Sequence, residues 1–251
     1  MTGWMEAGAW GLLGGSALVV GAALAWFGTV PSKVIASVMA FGAGVLISAV
    51  AFDLGQEAAD TGGLLATVVG FLAGAVAYVL ANMALARRGA RHRKRSSGYQ
   101  AKESGTVGSG SAIAIGALLD GVPESVVLGL GLLSGSGVST AFIAAVFLSN
   151  LPEGLASAAG MKDAGRSARY VFGVWSGIAV ASAVAAAAGY LLLGGASPET
   201  IAVFTSIAAG AILTMIADTM IPEAFEETHV ATGLITTLGF LAAFTLSRLS
   251  G

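Results

Sequence analysis

The sequence predicts an all-α membrane protein of eight transmembrane helices related by inverted repeats. Three observations lead there. The 251 residues are 56% hydrophobic and only 10% charged, whereas an ordinary soluble domain is about 25% charged. Apolar runs long enough to cross a bilayer recur along the whole chain. Short Pro-Glu motifs recur in segments expected to run in opposite directions. Mean hydropathy is +0.85, and 12 basic and 14 acidic side chains cannot cover the surface of a soluble fold this size. This excludes an ordinary cytosolic enzyme, a nucleic-acid binder and a disordered tail protein. The 37 glycines follow no Gly-X-Y period, and small residues suit closely packed membrane helices. With no cysteine, disulfides and thiolate metal sites are absent.

A spanning helix needs about 20 mostly apolar residues. The first run, Ala7–Thr29, follows Glu6 rather than a basic stretch, so it reads as a membrane helix and not a cleavable signal. Val34–Phe52 is the second, set off by Pro31-Ser32-Lys33. Gly63–Leu85 is the third, after Thr61-Gly62. Gly108–Leu133 and Val138–Ala159 are the fourth and fifth, joined by Ser134-Gly135-Ser136-Gly137. Ala168–Leu193 follows the Lys162–Arg166 turn, Ile201–Ile221 follows Ser197-Pro198-Glu199, and Val230–Leu246 is the eighth. All belong to one transmembrane domain spanning residues 1–251. Its one long break, residues 87–110, is basic and Gly/Ser-rich, and its composition predicts disorder.

Charge sets the orientation. With the N-terminus outside, Lys33, the seven basic residues from Arg87 to Lys102, Lys162, Arg166 and Arg169 are cytoplasmic, and Arg248 alone is outside. Both termini are then outside a plasma or inner membrane. The Arg87–Lys102 run reads as a topology anchor rather than a nucleic-acid patch.

Two internal similarities suggest the repeats. Asp120-Gly-Val-Pro-Glu-Ser resembles Ser149-Asn-Leu-Pro-Glu-Gly, 29 residues on, and Gly44…Glu57-Ala58 resembles Gly210…Glu223-Ala224, 166 residues on. The members of each pair run oppositely in the predicted topology, as in transporters with a midplane site.

The same segments hold the chemistry. A carboxylate near the bilayer centre costs about 2.5–3.5 kcal/mol. Asp120 and Glu124 share one face of helix four, and Asn150 and Glu153 one face of helix five. A short Ser-Gly linker makes the two helices expected antiparallel neighbours, so their faces would meet as an oxygen-rich cage without a basic partner. Such carboxylates bind a cation or take up protons. Pro123, Pro152 and Pro222 each precede a glutamate, and the first two free the carbonyls of Leu119 and Leu148. Carboxylates, an amide and carbonyls make a divalent-cation shell. Asp53 and Glu57 at the outer end of helix two, and Asp218 and Glu223 toward the inner end of helix seven, read as entry and exit vestibules or as solvated helix ends. No phosphate loop, nucleotide fingerprint or nucleophile constellation is present, so neither an enzyme nor ATP-driven transport is expected, and no cofactor.

These motifs resemble the ZIP (Zrt/Irt-like protein) family of divalent metal transporters. The resemblance covers most of the chain: eight helices, outside termini and a long cytoplasmic loop after helix three. The family's His-Asn-x-Pro-Glu-Gly motif of helix four corresponds to Asp120–Ser125, and its helix-five Pro-Glu-Gly motif to Ser149–Gly154. Phe52–Ala58 is similar to the family's helix-two Phe-x-His-x-x-Pro-Glu-Ala stretch, and Asp218–Ala224 to its helix-seven Ile-Pro-Glu-Ala stretch. The family's helix-four histidine is Asp120 here, its asparagine is Gly121, and its helix-six glutamate is missing from Ser176–Ala181. The resemblance thus implies one metal site, from Asp120, Glu124 and Glu153 with Asn150, and a lost or weakened second one. It implies zinc, iron or manganese as the bound substrate. Oxygen-only ligands favour the harder ions, while zinc also accepts carboxylates.

Three readings follow: a divalent-metal transporter, a carrier of a small non-metal substrate using Glu124 and Glu153 as proton sites, and a non-transporting membrane scaffold. The expected partners are metal ions and the lipid bilayer, not nucleic acid, and a homodimer is compatible with the plan.

Overall fold

A computed structural model describes residues 3–87, 109–133 and 138–250. Most of the basic 87–110 segment and the Ser134–Gly137 linker lie outside the described residues. Eight helical rods follow one another: α1 Gly3–Phe27, α2 Ser32–Gly62, α3 Leu64–Ala86, α4 Ser109–Gly131, α5 Thr140–Asp163, α6 Ala168–Leu193, α7 Pro198–Thr228 and α8 Ala231–Ser250. No strand occurs among the described residues. Among the described residues seven candidate spans, in α1, α2, α3, α5, α6, α7 and α8, are long and apolar enough to cross a membrane, which marks an integral membrane protein. The outward faces fit this: Leu64, Leu65, Leu72 and Leu80 of α3, and Leu234, Leu238 and Leu249 of α8, are all exposed.

Local signals fix the rod ends. Ser139, Ser167 and Ser197 accept hydrogen bonds from the backbone N–H groups of Phe142, Tyr170 and Thr200, capping α5, α6 and α7. Gly63 and Gly165 take positive φ, 82° and 81°, in the turns after α2 and α5. His229 does so at 47° between α7 and α8.

Two rods outrun their apolar stretches. The expected ends were Phe52 for the second helix and Ile221 for the seventh, yet α2 and α7 both reach 31 residues. Each passes through a π-helical segment, Val50–Gly55 in α2 and Ile216–Met220 in α7, and continues as α-helix. Hydropathy finds where the membrane ends, not where the helix ends. Gln56, Glu57, Ala58 and Ala59 are good helix formers. At 1.5 Å per residue these rods are about 46 Å long, well beyond a hydrocarbon core of about 30 Å.

Packing pairs the rods. α1 lies against α6 and α5, α4 against α6, α2 against α8 and α5, and α3 against α7. Glycines permit the closest approaches. A Cβ on Gly44 would overlap the Thr236 carbonyl of α8, and one on Gly239 the Phe41 carbonyl of α2. In the other pair a Cβ on Gly210 would overlap the Phe71 carbonyl of α3, and one on Gly74 the Ile207 carbonyl of α7. These contacts correspond: Phe41 and Gly44 match Ile207 and Gly210 at an offset of 166, and Phe71 and Gly74 match Thr236 and Gly239 at 165.

α4 and α5 are not the tight pair expected from their short linker. They touch each other only sparsely. Gly21 and Gly154 bring α1 and α5 together backbone to backbone, and Gly129 does the same for α4 and α6. Small residues on the flanking helices therefore outcompete chain adjacency, and a looser seam is left between α4 and α5.

Candidate functional site

That seam carries the acids. Asp120 and Glu124 of α4 are each 2% exposed, and Asn150 and Glu153 of α5 each 5%. Ser125, Ser149 and Ser157 are buried with them. Among the described residues, the buried polar side chains include these three carboxylates and no lysine, arginine or histidine. An isolated buried carboxylate is costly unless it is protonated, hydrogen-bonded or paired with a cation.

Neighbouring elements hold each group. Tyr78 of α3 donates its phenolic hydrogen to Asp120 Oδ1 at 2.5 Å, a short bond typical of a charged acceptor. Ser149 of α5 reaches Glu124 Oε1 at 3.3 Å and the Val146 carbonyl at 2.9 Å. One hydroxyl proton serves only one of these at a time, so Ser149 can either hold Glu124 across the seam or turn back on its own helix. Asn150 donates through Nδ2 to the Gly14 carbonyl of α1 at 3.1 Å, which fixes its amide and leaves its oxygen as an acceptor. Pro123 and Pro152 sit inside their helices as expected. The Leu148 carbonyl faces Gly42 of α2, where a Cβ would stand 3.0 Å from it. Beside Gly121, where the motif lacks a side chain, the nearest group is the Ser182 hydroxyl of α6, 3.7 Å from where a Cβ would be.

The acids line one seam without closing into a cage. Among the described residues, no three His, Cys, Asp or Glu side chains gather closely enough to hold one metal ion.

The outlying acids fall at opposite ends of the bundle. Asp53 lies in the first π segment and accepts from Ser139 at 3.2 Å and from Ser247 at 3.0 Å, joining α2 to the start of α5 and the end of α8. Arg248 lies over the rings of Phe52 and Phe244 beside it, 5.9 and 5.3 Å from their centroids. Glu57, one turn on, is exposed. At the other end Asp218 is exposed in the second π segment and Glu223 is half-buried. Glu227 accepts from Ser32 at 2.9 Å. Here too Lys162 donates to the Trp26 carbonyl at 2.8 Å, closing the end of α1.

Tyr78 escaped the sequence reading. Its one signal was a buried-type aromatic with a polar tip inside an apolar span, which needs a partner for its hydroxyl. Ser149 and Gly14 escaped it too, since nothing local marks a cross-helix bond. No protein-family model matches the chain, and no curated protein matches it.

Proposed function

We propose that the chain carries a divalent cation of the zinc, iron or manganese class across a membrane, on a ZIP-like plan. One observation carries this: Asp120, Glu124 and Glu153 are buried together in a membrane bundle, and among the described residues no lysine, arginine or histidine is buried. A cation passing along the α4–α5 seam would bring positive charge to this acidic interior. Asp120, Glu124 and Glu153 are its carboxylate ligands, and the Asn150 oxygen is a fourth. Since no three such side chains gather closely enough to hold one ion among the described residues, binding draws the two helices together. Their sparse mutual packing favours such movement.

The matched glycine contacts and π segments support two repeats, α2–α3 and α7–α8. Five helix reversals separate α2 from α7, so the repeats are inverted if every rod crosses. The basic-residue bias supports a cytoplasmic Lys162 end and termini outside, in the proposed plasma or inner membrane.

Uptake of Zn²⁺, Mn²⁺ and Fe²⁺ by proteoliposomes holding the full chain tests this. Carriage of at least one, lost in Glu124→Gln, is expected. A parent chain that carries none overturns it. A second reading is favoured by the absence of a three-ligand cluster among the described residues: Glu124 and Glu153 act as proton sites for a small non-metal substrate. It requires proton flux through the parent chain without any metal.

A further inference from the structure

A second oxygen-lined site stands at the Asp53 end, away from the buried seam. It is a pocket of about 110 Å³ between the end of α2, the end of α4 and the start of α7. Glu57, Thr61 and Thr205 provide its polar lining, and Ala58, Leu133, Pro198, Ile201 and Ala202 its apolar walls. Thr205 is only 8% exposed. Helical hydroxyls in this protein ordinarily turn back on the carbonyl four residues earlier, as those of Ser206, Thr214, Thr219 and Thr228 do. Among the described residues the Thr205 hydroxyl makes no such bond, and it lines the cavity instead. The hydroxyl is thus free to bond to whatever occupies the cavity.

The charge of the pocket selects its occupant. Among the described residues Glu57 is the one charged group in the lining. α2 and α4 both end here, presenting the negative ends of their dipoles. α7 begins here, and its first turn is already capped by Ser197. The balance favours a cation. One carboxylate and two hydroxyls are too few to replace the six or more oxygens a hard divalent ion requires, so the ion keeps most of its water. A liquid water occupies about 30 Å³, and the cavity has room for several.

We infer that this pocket captures a hydrated divalent cation before it loses its water and enters the α4–α5 seam. Glu57 supplies the attracting charge, and Thr61 and Thr205 accept hydrogen bonds from the ion's water shell. The assignment rests on the cation-transport reading and names the first stop on that route.

Initial rates of Zn²⁺ and Mn²⁺ uptake into proteoliposomes, over a range of concentrations, test it. Glu57→Gln and Thr205→Val should each raise KM by about threefold or more with kcat within about twofold of the parent, because they remove capture and leave the later steps alone. Thr205→Ser, which keeps the hydroxyl, should behave as the parent. Glu57 is exposed, so Glu57→Gln keeps the fold and decides the matter even if Thr205→Val unfolds. Unchanged KM in Glu57→Gln, or a fall in kcat without a rise in KM, overturns the capture site while the transport reading stands. A parent chain that carries neither ion removes both.

Discussion

Tyr78 and Asp120 join α3 to α4 through a 2.5 Å hydrogen bond in the interior of the bundle. Both are 2% exposed. The bond orients one carboxylate of the seam, and water is not at hand to replace it. Tyr78→Phe should therefore lower stability by about 1–3 kcal/mol, the range for a buried bond to a charged or strongly polar acceptor. Thermal unfolding in detergent measures this. A variant as stable as the parent would show that the bond holds nothing.

Glu124→Gln and Glu153→Gln keep shape and one acceptor oxygen while removing charge. The ion-free protein should be no less stable than the parent, because a neutral amide costs less to bury than a carboxylate. Cation uptake should fall by about tenfold or more, equivalent to about 1.4 kcal/mol. Asp120→Asn should act in the same direction, and Asp120→His should move preference toward zinc, which imidazole suits. If all four variants carried ions as the parent does, the seam would not be the path.

Alanine at the glycine contacts should show matched penalties. Gly44→Ala forces a methyl into the Thr236 carbonyl, and Gly210→Ala into that of Phe71. Each should cost about 1–3 kcal/mol by overpacking. Gly177→Ala meets nothing within 4 Å, and should be neutral or stabilising by up to about 1 kcal/mol. Unfolding of the three variants side by side gives the comparison, and a harmless Gly44→Ala would refute the close approach.

The basic-residue asymmetry predicts sidedness. In intact cells an impermeant thiol reagent should label Ser250→Cys and leave Ser97→Cys untouched. The reverse pattern would invert the orientation.

The helices were legible because a bilayer demands long apolar runs, and the eight runs in the chain match the eight rods. The buried acids were legible for the converse reason: carboxylates stand out in such runs. Three features were not. The π segments leave no hydropathic trace, since one added residue in a turn changes geometry and not composition. The weak contact of α4 with α5 depends on Gly21, Gly129 and Gly154 meeting other helices, which chain adjacency conceals. The partners of Asp120 and Asn150, Tyr78 and the Gly14 carbonyl, lie 42 and 136 residues away in sequence, beyond any local pattern.

The two π segments also set an angular phase. Each α-helical residue turns the chain by about 100°, and a π turn accommodates one residue more than an α turn. Everything downstream of Val50–Gly55 and of Ile216–Met220 is thus rotated by about one residue's worth from where an unbroken helix would carry it. Glu57 and Glu223 owe their compass bearing to this offset. Deleting a single residue within either segment would let it relax to a plain α-helix and leave the attached acidic tip on its bearing, whereas straightening the segment into α-helix at constant length would swing the tip by about 100°. The π turns therefore act as length buffers: each absorbs one residue while the mouth of the bundle keeps its aim.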